Sequence, residues 1–424
     1  MRLGANQPRI GTFNERVILD ALRRSPGQSL TELASTTGLA VPTVSGLLKQ
    51  LTGRGLVSAI GTQRVERGRP RTRLALVPDA RFSIGIHLDP TVITIALLDL
   101  AGRARSTRLE QGALDDPPDV VINRIASSTA SMMAGEGIDP ERVVGAGVAS
   151  PGPIDLVGGR VVDPPWLPGW QGIALREELE RALRMDVTFE KDTTAAVVGE
   201  TWLRRDDDEV QVLLFVYVSI GIGVGVTTRG EVLRGSTGNA GEIGGFFEFS
   251  ADEQVYPPSV TASSSSVDPA YLVARARDLG ILEGPADRAG SAPGARAATE
   301  GTLPQLTDID RAFNELCDVA ERGESRATQL LGAAGAKVAR MVGVLTDILD
   351  VDTVVMGGPY WGRVQSFYEP AIRERLAVHR RGQVRRRLTL STSLMGESAG
   401  AIGAAAMVLD ERYVPRATML AIGD

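Results

Sequence analysis

At 424 residues, 43% apolar and 23% charged, the chain is too long for one hydrophobic core and has the ordinary composition of a globular protein of two or three domains. A single cysteine, Cys317, excludes an internal disulfide and a thiolate metal cluster. No apolar run approaches the ~20 residues that span a bilayer, and the N-terminus lacks the apolar stretch of a signal peptide, so no membrane partner and a cytoplasmic location are expected. The net charge of −6 conceals an asymmetry: residues 1–81 carry 13 Lys/Arg against 5 Asp/Glu, a formal +8, and the remainder 33 against 47, a formal −14. A basic head on an acidic body is the electrostatic footprint of a nucleic-acid-binding module joined to something else.

The head, residues 1–80, reads as a winged helix-turn-helix. Helical spacing of Phe13, Val17, Ile18, Ala21 and Leu22 predicts a first helix ending at Ser25-Pro26-Gly27. Ser29 and Glu32 form a capping-box pattern for a short second helix over 30–36. Gly38 turns the chain into a third helix over 41–51, with Val44, Leu47, Leu48 and Leu51 inward. Its other face offers Pro42, Thr43, Ser45 and Lys49, groups small or polar enough to enter a major groove. A ribbon of strands over 56–60 and 72–77 follows. Its tip carries Arg64, Arg67, Arg69 and Arg71 around Gly68 and Pro70. Guanidinium groups on a stiffened tip suit a minor groove, whose potential is negative. The competing reading is a packing module whose third helix touches protein instead of DNA.

The body, residues 81–424, alternates strands and helices: strands over 82–88, 92–100 and 143–149, helices over 120–134 and 175–183, a strand over 187–189 and a helix over 194–203. This predicts α/β layers, and the leading hairpin makes the sheet mixed instead of wholly parallel. Residues 283–307 and the serines 263–266 read as surface loops. A long helix over 327–349 is expected to turn Leu330, Leu331, Ala334, Val338, Met341, Val342, Leu345 and Ile348 inward. A strand runs through 353–358 into a glycine turn, and a small-residue helix over 399–409 closes the pattern. Between the lobes of this pattern, residues 215–245 combine a β-branched strand, glycines at 221, 223 and 225, and the loop 238–245, GNAGEIGG, which holds Glu242. Such a segment is a tight hairpin, a phosphate cradle, or a platform that sets Glu242 against a polar ligand.

In their order along the chain, 147–155 (GVASPGPID), 167–170 (LPGW), 192–200 (DTTAAVVGE), 238–244 (GNAGEIG) and 354–358 (VVMGG) resemble the motifs of the ROK family, repressors and sugar kinases. The resemblance implies an actin-like, sugar-kinase-like two-lobed ATPase fold, which in the regulators of the family follows a winged helix-turn-helix. In kinase members the residue at Asp192 is the base toward a sugar hydroxyl, and that at Glu242 binds hydroxyls. Two neighbours depart from the pattern: Trp166 and Lys191 stand where the family has asparagine. Trp166 suits stacking on a sugar face. Lys191 suits either an ion pair with Asp192 or another carboxylate, or recognition of a sugar phosphate or acid.

Other departures concern catalysis. The phosphate loop resembling D-x-G-G-T reads His87-Leu88-Asp89-Pro90-Thr91, with Asp89 expected on the opposite strand face from His87. The second loop, resembling G-T-G-I-G, has Ser219 and Ile220. Phosphoryl transfer depends on positioning by such groups, so no catalytic residue and no nucleotide cofactor are expected. The family's zinc site lacks its ligands: Gly245 holds the histidine position and 246–266 contains no cysteine, so no metal is expected. His87 and His379 are then structural, and Phe246, Phe247, Phe249 and Tyr256 are expected to pack the zinc-less loop inward. The resulting expectation is a regulator that represses carbohydrate genes. It would bind double-stranded operator DNA and a sugar or sugar derivative, as a homodimer or homotetramer. The alternative is a ROK sugar kinase fused to a DNA-binding head, and a third reading is a regulator that no longer senses a small molecule.

Overall fold

The computed structural model describes residues 7–63, 70–114, 116–164, 167–204, 210–247, 266–283, 306–379 and 388–415. Arg64, Arg67, Arg69, Trp166, Phe249 and Tyr256, nearly all of 283–307 and the serines 263–265 lie outside the described residues, as do the side chains of Phe247 and His379.

The head consists of α1 (Gln7–Arg24), α2 (Leu30–Thr37), α3 (Val41–Gly53) and an antiparallel ribbon of β1 (Val57–Gln63) and β2 (Arg71–Leu76). The capping box forms: Ser29 N–H donates to Glu32 Oε2 at 2.7 Å, and Glu32 N–H donates back to Ser29 Oγ at 3.4 Å. Gly38 ends α2 in the left-handed region, φ 69°, where glycine costs nothing. Val44, Leu48 and Leu51 face the head's core with Ile18, Leu22, Leu33 and Leu56. That core is not self-contained, because Leu100 and Tyr413 of the body complete it.

The first lobe comprises β3 (Phe82–His87), β4 (Val92–Asp99), β5 (Ala104–Gln111), α4 (Pro118–Gly135), β6 (Val143–Ser150), short strands β7 (Ile154–Asp155) and β8 (Arg160–Val161), α5 (Leu175–Leu183), β9 (Val187–Lys191) and α6 (Asp192–Leu203). The second comprises β10 (Val212–Val218), β11 (Ile222–Thr228), β12 (Glu231–Val232), α7 (Pro269–Asp278), α8 (Leu306–Glu321), α9 (Ser325–Leu349), β13 (Thr353–Gly357), α10 (Trp361–His379), β14 (Thr389–Thr392) and α11 (Ala399–Tyr413). The sheet orders, β5-β4-β3-β6-β9 and β12-β11-β10-β13-β14, are the same topology used twice. In each, an antiparallel meander of three strands continues into two parallel ones. The sheets are mixed, as the leading hairpins predict.

The lobes exchange their last helices. Helix α6 leaves the first sheet and packs on β10 and β11 of the second, while α11 leaves the second and packs on β3, β4 and β6 of the first. The two helices also pack on each other. Glycines make this possible. A Cβ on Gly85 would lie 1.9 Å from Ala401 O, one on Gly147 2.1 Å from Ala404 O, and one on Gly403 2.1 Å from Ala195 O. The small-residue stretch 399–409 is therefore a contact surface that touches strands and helix at backbone distance.

Two inward positions are corrected. Ile348, expected inside α9, is 72% exposed, while Leu330 and Leu345 are only half-buried at the margin of the second lobe's core. Phe246 is likewise exposed, so it does not pack the 246–266 loop inward. The strand β5 and the helices α7, α8 and α10 were not foreseen; the charged, alternating sequence ARSTRLEQ of β5 marks an edge strand with little hydrophobic signal. Substituting Gly403→Val should cost about 1–3 kcal/mol or more by overpacking. Urea unfolding checks this, with Gly169→Ala, whose Cβ would meet nothing within 4 Å, as the near-neutral control.

Candidate functional site

Three loops converge where β9 gives way to α6. Strand β9 ends in Glu190 and Lys191, both buried, and Asp192 opens the helix. Lys191 extends under the GNAGEIG loop, where its Nζ donates to Ala240 O at 2.6 Å and pairs with Glu242 Oε1 at 3.1 Å. Its partner is thus Glu242, not Asp192. Glu190 Oε2 accepts from Arg234 Nε at 2.6 Å, anchoring the start of the same loop. Asn239 clasps the loop to the first lobe: its Nδ2 donates to Ile154 O and its Oδ1 accepts from Ile154 N–H, both at 2.8 Å. Gly152 closes the third side, since a Cβ there would stand 2.2 Å from Glu242 Oε1. Gly241, at φ 87° and pressed on Val224 O, admits no side chain.

Asp192 Oδ1 accepts from Thr193 N–H at 2.6 Å. Burial pushes its carboxyl up to about 7; the charges of Glu242 and Asp89 add to this, and Lys191 and the Thr193 N–H oppose it. Ser150–Asp155, Asp192 and Glu242 therefore enclose a corner rich in hydrogen-bond acceptors, fit to hold hydroxyl groups.

The regions resembling phosphate loops are built for packing. His87 is buried at the end of β3, with its Nε2 3.5 Å from the Tyr217 hydroxyl and its ring nearly perpendicular to that of Tyr217. A Cβ on Gly400 would come within 2.7 Å of the imidazole. Burial holds the imidazole below its ordinary value, hence neutral. Asp89 does not point away from His87. The chain turns after β3, Asp89 Oδ1 accepts from Thr91 N–H and Thr91 Oγ1 at 2.8 Å, and its charge reaches His87, Asp192 and Tyr217 on the cleft side. Ile220 sits in the second lobe's core, and Ser219 N–H donates to Gly221 O at 2.9 Å. Glycines 223 and 225 serve the approach of α6: a Cβ on either would strike Thr193, at 2.6 and 2.3 Å. The donor set does not fit zinc, because Gly245 replaces the histidine and the one thiol, Cys317, is buried in the second lobe's core.

The DNA-facing candidates on α3, Pro42, Thr43, Ser45 and Lys49, are all exposed, as is Arg71 at the start of β2. Ser45, Lys49 and Arg71 line one groove with Thr31, Thr52 and Thr72, so helix and wing share a surface. Arg73 ties the wing to α2 through Glu32 at 2.7 Å. Gln50, exposed on the same arc of α3, was missed, though its polarity and spacing from Thr43 were signal enough.

Also missed was the junction between head and body. Arg23, buried at the end of α1, lies 4.2 Å over the Trp202 ring of α6 and donates to Trp202 O at 2.5 Å. Asp20 holds it at 2.7 Å. Arg16 donates to Glu411 O of α11 at 2.7 Å. An arginine inside a helical pattern carries no sequence signal of a distant partner.

Known proteins share this organisation. The ROK family profile matches residues 83–249 and 290–411, and that of the IclR helix-turn-helix domain residues 17–60. The DNA-binding transcriptional repressor Mlc of Escherichia coli is 22% identical over 337 residues, 78% of this chain and 77% of Mlc. A crystallised ROK family transcriptional regulator, homologous to the E. coli protein, matches at TM-score 0.69 and 18% identity over 96% of this chain and 97% of its own. A ROK family glucokinase from Streptomyces griseus, in complex with glucose and AMPPNP, matches at TM-score 0.57 and 19% identity over 77% and 98%. The two solved structures establish the fold: two sugar-kinase-like lobes, preceded in the regulator's case by a counterpart of the head.

Asp192 supplies a test of the cleft's electrostatics. A carboxyl raised from 3.8 to about 7 stabilises the fold below its unfolded value and loses that contribution as pH rises through the folded one. Asp192→Asn should therefore gain melting temperature over the unsubstituted protein between about pH 4 and pH 7, with a constant advantage above. A difference independent of pH would contradict the raised value.

Proposed function

We propose, since the chain belongs to the ROK family, that it is a DNA-binding transcription regulator whose body senses a carbohydrate instead of phosphorylating it. The observation that carries this reading is a division within one cleft. Asp192 and Glu242 are kept in a hydrogen-bonded frame, whereas at the positions of the phosphate loops His87 packs on Tyr217 and Ile220 joins the second lobe's core. Phosphoryl transfer needs backbone and hydroxyl donors around the phosphates, and apolar Ile220 and a neutral imidazole do not supply them. The naming of Mlc as a repressor supports repression. Dimers or higher oligomers suit paired operator half-sites.

Coupling follows from α6. The helix begins at Asp192 in the effector cleft and carries Trp202 in its last turn, under Arg23 of the head. A ligand that bridges Asp192 and Glu242 favours one relation of the lobes, and the head moves with the helix ends. Such a ligand acts only through a difference in affinity between the two states.

Two measurements test the reading. Lys49→Ala and Arg71→Ala should each weaken operator binding and reduce the slope of log affinity against log salt by about one per lost phosphate contact; unchanged binding would remove DNA from the account. Incubation with ATP, magnesium and a sugar panel should release no ADP above background. Sugar-dependent ADP release would establish the kinase alternative.

A further inference from the structure

We propose that the cleft selects an uncharged polyol and turns away phosphorylated and acidic sugars, with Glu242, held in place by Lys191, as the residue that sets this preference. The inference rests on the carbohydrate reading above and names its ligand class. By residue type, a lysine at the corner of a sugar site is a candidate receptor for phosphate or carboxylate. Its surroundings give it another task. The Lys191 side chain is 1% exposed, and its ammonium is engaged by Ala240 O and Glu242 Oε1. Glu242, half exposed, stands between that ammonium and solvent. Gly152 covers the pair so closely that a Cβ would meet both Glu242 Oε1 and Lys191 Cδ. The neighbouring cation, Arg234, is held by Glu190.

What remains for a ligand is acceptors. Glu242 Oε2 and the second oxygen of Asp192 carry no hydrogen bond among the described residues. Asp89 adds a further negative charge that reaches Asp192. At Asp192 one cation, Lys191, thus acts against two further carboxylates, Glu242 and Asp89. Hydroxyl donors satisfy such a corner, and an anion entering it meets like charge while the cation beside Asp192, Lys191, is already engaged. Lys191 is then a positioning residue: it fixes the Glu242 carboxylate in place before a hydroxyl arrives.

Calorimetric titration of the full chain at pH 8 tests this with D-glucose, N-acetyl-D-glucosamine, their 6-phosphates and D-gluconate. At least one neutral sugar should bind, and its charged counterparts at least about tenfold more weakly. Glu242→Gln, an isosteric change at a half-exposed site, uncovers Lys191 and removes one negative charge. It should weaken the neutral sugar and tighten the corresponding 6-phosphate at least about tenfold. Lys191→Met should weaken the neutral sugar while leaving the 6-phosphate rejected. Should Lys191→Met fail to fold, Glu242→Gln alone decides the role of Lys191, and absence of any gain in 6-phosphate binding there overturns it. A 6-phosphate or gluconate that binds the unsubstituted protein as tightly as the neutral sugar overturns the selectivity and leaves the carbohydrate reading standing. Silence across the whole panel overturns the carbohydrate reading and the inference together.

Discussion

Backbone-distance contact between α6, α11 and the two sheets is the constraint on which the remaining architecture depends. Each helix is made in one lobe and packed on the other, so neither lobe is complete alone. Contacts of about 2 Å between a hypothetical Cβ on Gly85, Gly147 or Gly403 and a helix carbonyl or amide mean that no side chain fits between these layers. Close-packed interfaces of this kind behave as rigid surfaces that slide or hinge instead of deforming. Glycine and alanine are placed there for what they lack.

The same rigidity fixes the cleft. Asp192 is the first residue of α6, so its position is set by the helix and the sheet beneath it, not by a loop. Glu242 sits on a loop, and the loop is restrained at four points: Arg234 to Glu190, Asn239 to Ile154, Ala240 to Lys191, and Gly241 to Val224. A buried lysine needs a partner, because an isolated ammonium in a low-dielectric site is costly. The Lys191–Glu242 pair meets that need and holds the GNAGEIG loop in doing so.

Much of this was legible in residues with local consequences. The capping box at Ser29 and Glu32, the inward spacing of Val44, Leu48 and Leu51, and the small-residue stretch 399–409 follow from helix geometry, and each was read from spacing alone. The ROK-like motifs singled out Asp192 and Glu242, which the fold brings close enough for their charges to interact. Features that depend on distant pairing were not legible. Sequence left the partner of Lys191 open, because Glu242 is fifty-one positions away and Asp192 is adjacent; the strand-to-helix corner turns the two neighbours apart. The orientation of Asp89 was misjudged because positions two apart in a strand share a face, and Asp89 stays on the side of His87 past the end of β3, where its bonds to Thr91 redirect the chain. Ile348 is apolar at a helical spacing, but the last turn of α9 buries Thr346 and packs Leu349 on the core instead. The exchange of α6 and α11 left its trace only as glycines, which by themselves do not say what approaches them.

The position of the head gives those exchanged helices a further role. Its first helix touches both: Arg23 sits on Trp202 in the last turn of α6, and Arg16 bonds the carbonyl of Glu411 in the last turn of α11. Tyr413, also from α11, completes the head's own core beside Leu100. In the carbohydrate reading proposed above, any change in the relation of the lobes passes through α6 and α11, because each is joined to one sheet and packed on the other. The head is therefore fixed to the last turns of the two elements that bridge the lobes. A shift that is small at the ligand must be accommodated at this junction, either by the Arg23–Trp202 contact or by rotation of α1. Because Arg23 is buried and charged, its contact with Trp202 is costly to break, so α1 and the last turn of α6 are held as one unit.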